Sequence, residues 1–264
     1  MDETDAAAGQ ISAEAARIYE DFFVPALFGQ FAPWLVEAAG IRDGDRVLDV
    51  ATGTGVVARA AQARAARVSA VDINPGMLAM ARKLAPELDI RQARAEALPF
   101  ADDSFDAVTC QFALMFLADR RQALREMARV CRPGGWITVS VFAPWPRSPG
   151  YNDLIPLLEE LMGAGAAEAL KVPFCLGEDG ALAQLLAEAG LEGAHLGHRT
   201  GEIRHPSLDA WLETEIGGWT LAEAMTPARM TALKRAAPER LGKYRHGDGS
   251  VSFECPALFA VTRA

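Results

Sequence analysis

The sequence predicts a doubly wound α/β sheet, and three observations carry that expectation. Apolar runs of strand length alternate with helical repeats over residues 46–142. A Gly-rich turn, Thr52-Gly53-Thr54-Gly55, joins the first of these strands to the first of these helices. Asp72 ends the second strand 17 residues beyond Gly55, where a βαβ unit places an acid against ribose hydroxyls.

Residues 1–10 are acidic and unpatterned, and are expected to be disordered. A helix starts at Ser12, carries Tyr19, Phe22 and Phe23, and is interrupted by Pro25. A second helix puts Phe28, Phe31, Ala32, Leu35 and Ala39 on one face, and Gly40 ends it. Most of these aromatics suit burial against the sheet. Tyr19 and Phe23, four apart on one helical face, suit closure over a ligand. Residues 1–40 are therefore expected to form a helical lid on a main domain over 41–264.

Val47, Leu48 and Val50 favour an extended chain, and Val56, Val57, Ala60 and Ala61 repeat at helical spacing. Residues 67–72 read as the second strand. Asn74 and Pro75 form an N-cap and N1 pair that starts the next helix, with Met77 in its first turn. Residues 88–93 read as a third strand, 94–100 as a loop, and 105–110 as a fourth strand running into Gln111 and Phe112. Asp119 and Gln122 open a helix that Pro133-Gly134-Gly135 ends, and 136–142 alternate as a fifth strand. Beyond a Pro-rich linker, insertions are expected near 144–175 and 207–249. The last strand, 251–262, contains Pro256, so an edge position or a bulge is expected there.

Half of the 264 residues are apolar, enough for one large core. The formal net charge of −9 argues against nucleic acid as a partner. Four scattered cysteines, without a C-x-x-C pair, give no metal spacing and suit a reducing cytoplasm. Neither a signal peptide nor a membrane span is read.

Gly53-Thr54-Gly55-Val56-Val57-Ala58 fits the dinucleotide pattern G-x-G-x-x-A. Asp49 opposes a pyrophosphate at this turn, and no Lys or Arg lies between Asp49 and Ala58 to offset it. A cationic ligand without phosphates suits the turn better, and S-adenosylmethionine is one.

Residues 47–55, together with Asp72, the loop 96–100, Gln111-Phe112 and residues 129–135, resemble the successive motifs of class I S-adenosylmethionine-dependent methyltransferases. The likeness is to the type 11 branch, related to ubiquinone/menaquinone C-methyltransferases, and is good over 41–143. It implies a Rossmann-like, mostly parallel sheet with an antiparallel C-terminal strand. It also implies methyl transfer from S-adenosylmethionine, leaving S-adenosylhomocysteine. The cofactor contacts implied are Tyr19, Phe23, Asp49, Ala51, Thr52, Gly53, Gly55, Asp72, Ile73, Met77, Ala95, Glu96, Gln111 and Phe112.

Ala51 stands where many members have Gly. Arg94 stands where an Asp often accepts from the adenine amino group, and Arg has no acceptor. Adenine contacts would then come from the backbone at Ala95 and Glu96.

No metal is required for such a transfer, and no catalytic residue is assigned. His195, His198, His205 and His246 all lie in the C-terminal part. The acceptor is expected to be a small molecule: a quinone, another aromatic, or a natural-product intermediate. Two other classes stay open, a nicotinamide oxidoreductase and a cofactor-binding protein that does not catalyse. The sequence assigns no oligomeric state.

Overall fold

Strand β1 (Arg46–Val50) lies in the interior of the sheet with both its faces covered: Val47, Leu48 and Val50 are fully buried. The computed structural model describes residues 13–64, 66–178, 180–217 and 225–264. The expectations for residues 1–10 and for a helix start at Ser12 lie outside them. Around β1 stand β2 (Arg67–Asp72), β3 (Asp89–Gln92), β4 (Phe105–Gln111), β5 (Cys131–Phe142), β6 (His195–His205) and β7 (Val251–Arg263). They form one sheet in the order β3-β2-β1-β4-β5-β7-β6. All neighbouring pairs from β3 to β5 are parallel, while β7 runs antiparallel to both β5 and β6. The expected doubly wound, mostly parallel sheet with an antiparallel C-terminal strand is therefore observed. The strand order reverses between β1 and β4, which opens a crevice at their carboxyl ends.

Ten helices are described: α1 (Ala13–Ile18), α2 (Ala32–Ala38), α3 (Val56–Gln62), α4 (Pro75–Leu84), α5 (Arg120–Val130), α6 (Pro149–Met162), α7 (Ala164–Lys171), α8 (Ala181–Glu188), α9 (Leu208–Gly217) and α10 (Pro227–Leu241). Between α1 and α2 the chain makes a π-helical turn over Tyr19–Phe23, a short helical turn Val24–Ala26 and a 3-10 turn Phe28–Gln30. Pro25 sits at the start of its turn, where its missing N–H is harmless, so it redirects the helix without breaking it. Phe23, Phe28, Phe31, Ala32 and Leu35 share one hydrophobic core with β1, β4 and β5. From Phe23 onward the segment expected as a lid is thus packed as core.

Two strands differ from the reading of the sequence. Strand β5 begins to pair at Cys131, and the register jumps from Phe105↔Cys131 to Ala107↔Trp136. Residues 132–135 bulge out between those pairs, with Gly134 turning at φ +73°. Strand β7 is interior rather than an edge, and its pairing with β6 runs unbroken from Val261 to Val251. Pro256 fits because its carbonyl accepts from the Ala143 N–H just past the last β5 pair, Phe142↔Ala257. In an antiparallel strand, N and C=O of one residue point the same way. The donor that proline lacks therefore falls at the end of the β5 ladder and costs no bond to β6.

Residues 251–256 pair with β6 alone and so overhang the carboxyl edge of the sheet by about 20 Å. The inner face of this ribbon carries Phe253, Cys255, Gly201, Ile203 and His205. Phe31 lies so close to Gly201 that no side chain fits there. The Gln30 carboxamide accepts from the Glu202 N–H at 2.9 Å and donates to the Glu202 carbonyl at 2.8 Å. It pairs with the open edge of β6 as another strand would. The N-terminal turns and helices α6 and α9 pack against this ribbon at the carboxyl edge of the sheet.

Candidate functional site

The turn after β1 is built by backbone conformations and two carboxylates. Ala51, Gly53 and Gly55 all have positive φ, at 55°, 56° and 87°. For the glycines this costs nothing, whereas Ala51 bears strain of about 1–2 kcal/mol. Asp49, only 1% exposed, accepts from the Thr52 hydroxyl at 2.6 Å and from the Thr109 hydroxyl of β4 at 2.9 Å. Burial pushes its carboxyl up to about 6 against the pull of these hydrogen bonds. Both of its oxygens are thus engaged inside the protein, tying turn to sheet.

Asp72, at the end of β2, accepts the Gly53 N–H at 2.8 Å through one oxygen and the Asn74 N–H at 2.8 Å through the other. Asp72 is therefore not a freely solvated strand end. Enclosure raises its pKa, against which the backbone donors act. A carboxylate offers about four lone-pair positions, more than these two bonds use, and Asp72 lines the cleft. Asn74 caps α4 by accepting from Met77 N at 3.0 Å, and the Met77 side chain is buried.

The cleft itself holds about 70 Å³ between Ala51, Asp72 and Ile73 on one side and Ala95, Glu96 and Phe116 on the other. Its far wall is the loop 93–100. Arg129 on α5 fastens that loop, donating to the carbonyls of Leu98 at 3.0 Å and Phe100 at 2.9 Å. Glu126 accepts from Leu98 N at 2.8 Å. Arg94 lines the cleft and lies 3.7 Å from Glu96.

At the end of β4, Phe112 is held at φ +49°, an outlier for an aromatic residue. Its ring stacks on Phe142 at 4.2 Å and meets Phe31 edge-on at 5.0 Å. Gln111 donates to the Phe28 carbonyl at 3.2 Å, and its side-chain oxygen is buried with no partner among the described residues. Tyr19 stacks on Phe28 at 5.2 Å, and a Cβ added to Gly53 would sit 3.9 Å from its ring. Burial, then the charges of Asp72, Glu20 and Asp49, hold its hydroxyl protonated. Phe23 stacks on Tyr19 but is itself core, while Phe22 is exposed.

Most of the sequence-predicted residues fall into three groups. Ala51, Asp72, Ile73, Ala95 and Glu96 line the cleft. Tyr19, Gly53, Gln111, Phe112 and Phe28 meet on the other side of the turn. Asp49 and Thr52 brace the turn from beneath. Sequence reading missed Arg59, which donates to the Thr54 carbonyl at 2.5 Å and to Glu20 at 2.8 Å, fastening the π-helical turn to α3. Those partners are 39 residues apart, so no local pattern marks them. Among the described residues no His, Cys, Asp and Glu cluster is placed to hold a metal ion, and no helix is long and apolar enough to cross a membrane.

Comparison with known proteins places this geometry among relatives. A family model described as a methyltransferase domain matches residues 48–139. The ubiquinone/menaquinone biosynthesis C-methyltransferase UbiE of Xanthomonas campestris is 35% identical over 222 residues, 74% of this chain and 86% of that protein. The demethylmenaquinone methyltransferase of Renibacterium salmoninarum is 42% identical over 118 residues, 44% of this chain and 50% of that one. The chain thus spans about half of that relative's length, and 40% of the uncharacterised Mycobacterium tuberculosis protein Rv1405c, which is 45% identical over 111 residues. Among solved structures, YcgJ of Bacillus subtilis shares the fold with a TM-score of 0.59 at 23% identity, over 89% of this chain and 98% of that one. A phosphoethanolamine N-methyltransferase of Haemonchus contortus, solved with S-adenosylhomocysteine, gives 0.58 at 16% identity, over 96% of this chain and 58% of that one.

Proposed function

The chain belongs to the class I S-adenosylmethionine-dependent methyltransferases, and on that premise we propose that it methylates a small-molecule acceptor at the crevice between β1 and β4. One observation carries the reading: Asp72 braces the Gly53 turn and also lines the cleft, where a carboxylate can accept from a ligand. That donor set fits S-adenosylmethionine. A ribose diol needs a carboxylate acceptor, and an ammonium or sulfonium needs no basic side chain. A pyrophosphate, by contrast, would meet Asp72, with Asp49 buried close behind it, and among the described residues that line the cleft the one cation, Arg94, lies beside Glu96. The side-chain oxygen of Gln111, without a partner among the described residues, is a ready acceptor for a ligand N–H.

When bound, the cofactor supplies an electrophilic methyl group. The chain's own residues do the rest. Asp72 holds the ribose, with Ile73 beside it, and the backbone at Ala95 and Glu96 meets adenine. Tyr19 closes over Gly53, with Phe23 behind it. Phe112, fixed in a strained backbone and packed on Phe142 and Phe31, gives the acceptor a rigid apolar wall. Alignment in a dry site of this kind is worth up to about 7–11 kcal/mol of a barrier.

A hydroxylated aromatic acceptor, quinol or natural-product intermediate, suits these walls. Methyl-tritiated S-adenosylmethionine should pass label to at least one member of a panel of hydroquinones, naphthols and catechols, with equimolar S-adenosylhomocysteine. Cofactor binding without transfer to any of a broad panel would mark a binding protein instead.

A further inference from the structure

A second polar cluster lies above the sheet, away from the Gly turn. Tyr151 on α6 donates to Glu215 on α9 at 2.8 Å. Tyr151 is 4% exposed, Glu215 7% and Trp211 0%. Trp211 and Glu215 are four apart and share a face of α9. The Trp211 indole N–H is buried and has no partner among the described residues. Tyr151 and Trp211 pack on Phe253 of the overhanging ribbon at 5.9 and 4.6 Å. Phe174 stands between Tyr151, at 4.9 Å, and Phe142, at 5.5 Å, and Phe142 is stacked on Phe112. One continuous chain of ring contacts therefore runs from the end of β4 to the tyrosine that holds this carboxylate.

The pair is a poor choice for stability alone. A buried carboxylate without a cation is costly, and an amide would hold the Tyr151 hydroxyl as well. Among the described residues, the titratable groups that face Glu215 are Tyr151 from α6 and Cys255 from β7, both acids. Neither can neutralise it. Burial lifts its carboxyl to about 7, so it exchanges a proton in the neutral range.

We propose that Tyr151, Glu215 and Trp211 form the polar end of the acceptor pocket, receiving the acceptor's hydroxyl group and its proton. The assignment rests on the methyl-transfer reading above. The Tyr151 oxygen accepts the acceptor's O–H, and the Trp211 N–H donates to the acceptor's oxygen. As the acceptor's proton moves to the Tyr151 oxygen, the Tyr151 proton moves to Glu215. The electron pair left on the acceptor forms the bond to the methyl carbon. Atoms and charge balance: the acceptor gains a methyl and loses a proton, and the sulfonium's positive charge reappears as the proton that neutralises Glu215. Phe174 closes the approach to this end.

The test uses 2-naphthol, with naphthalene as its hydroxyl-free control, titrated by fluorescence into the full chain saturated with S-adenosylhomocysteine. Glu215→Gln and Tyr151→Phe should each weaken 2-naphthol about tenfold and leave naphthalene unchanged. The double variant should be no weaker than the worse single one. The wild-type affinity for 2-naphthol should vary with pH around 7, and that of Glu215→Gln should not. S-adenosylhomocysteine affinity should be the same in all of them, so failure of the methyl-transfer reading shows separately, as no binding of that ligand by the wild type. Equal losses for both probes would reduce the cluster to packing. Unchanged 2-naphthol affinity in Glu215→Gln, or no 2-naphthol binding by the wild type, would overturn the proposal.

Discussion

Replacing Asp72 by Ala separates its two roles. Its oxygens accept two backbone N–H groups, from Gly53 and Asn74, both at 2.8 Å. Removing the carboxylate strands both donors, and a buried unpaired donor costs about 1–3 kcal/mol. Water reaches the cleft side of Asp72, which puts the total at about 2–4 kcal/mol. Urea denaturation followed by circular dichroism should then show a midpoint lower by about 1 M, taking a slope near 3 kcal/mol/M. The remaining lone pairs are those proposed for ribose. Losing a charged acceptor there is worth about 1.5–3 kcal/mol, a 10- to 150-fold loss of S-adenosylhomocysteine affinity. Calorimetry at a temperature where the variant is folded measures that separately. Asp72→Asn, which keeps one oxygen, should fall between the two in both assays. An unchanged midpoint would refute the structural part. A lowered midpoint with unchanged affinity would leave Asp72 as a brace of the turn and nothing more.

Three further outcomes follow from the packing and the charges. Glu215 has a folded pKa of about 7 against an ordinary 4.5, so the folded state holds the proton more tightly. Its contribution to stability is complete below about pH 4.5 and is lost as pH rises through about 7, by about 3 kcal/mol at most. Asp49, raised to about 6, loses its share over a lower range in both proteins. Glu215→Gln should therefore unfold at a higher temperature than wild type at pH 8 and not at pH 4; identical melting curves at both would contradict the burial argument. Ala51→Gly relieves the positive φ, worth about 1–2 kcal/mol, and adds about 0.4–1 kcal/mol of unfolded-chain entropy. Its melting temperature should be equal or slightly higher, and a clear fall would show that the alanine methyl makes a needed contact. Deletion of residues 1–30 removes Phe23, Leu27 and Phe28, each 5% exposed or less. Phe-to-Ala in a core already costs about 3–5 kcal/mol, so the truncated chain should not fold. A soluble, cooperatively melting product would show that these helices are a detachable lid.

What could be read from the sequence was local. Strand β1, the Gly turn, Asp72 and the Asn74 cap are each specified within a few residues, by alternation, by glycine at positive φ and by N-cap chemistry. That the sheet is doubly wound and mostly parallel followed from the alternation of strand and helix, whereas the order of its strands did not. Pro256 misled because its neighbour on the β5 side stops one residue earlier, a fact about register that no window of β7 contains. The aromatic residues before position 32 misled in part. Helical spacing puts Phe23, Phe28 and Phe31 on a face but does not say whether that face meets solvent or sheet. Tyr151 and Glu215 are 64 residues apart, and nothing near either marks it as a partner of the other. The same holds for Gln30, which reaches the edge of β6 across 172 residues.

The central claim is that the crevice between β1 and β4 takes an adenosyl ligand without phosphates. Isothermal titration of the full chain with S-adenosylhomocysteine, and separately with NAD, tests it most directly. One S-adenosylhomocysteine site per chain, displaced by S-adenosylmethionine and accompanied by no heat with NAD, is the result expected. Clear one-site heat with NAD and none with S-adenosylhomocysteine would contradict the account.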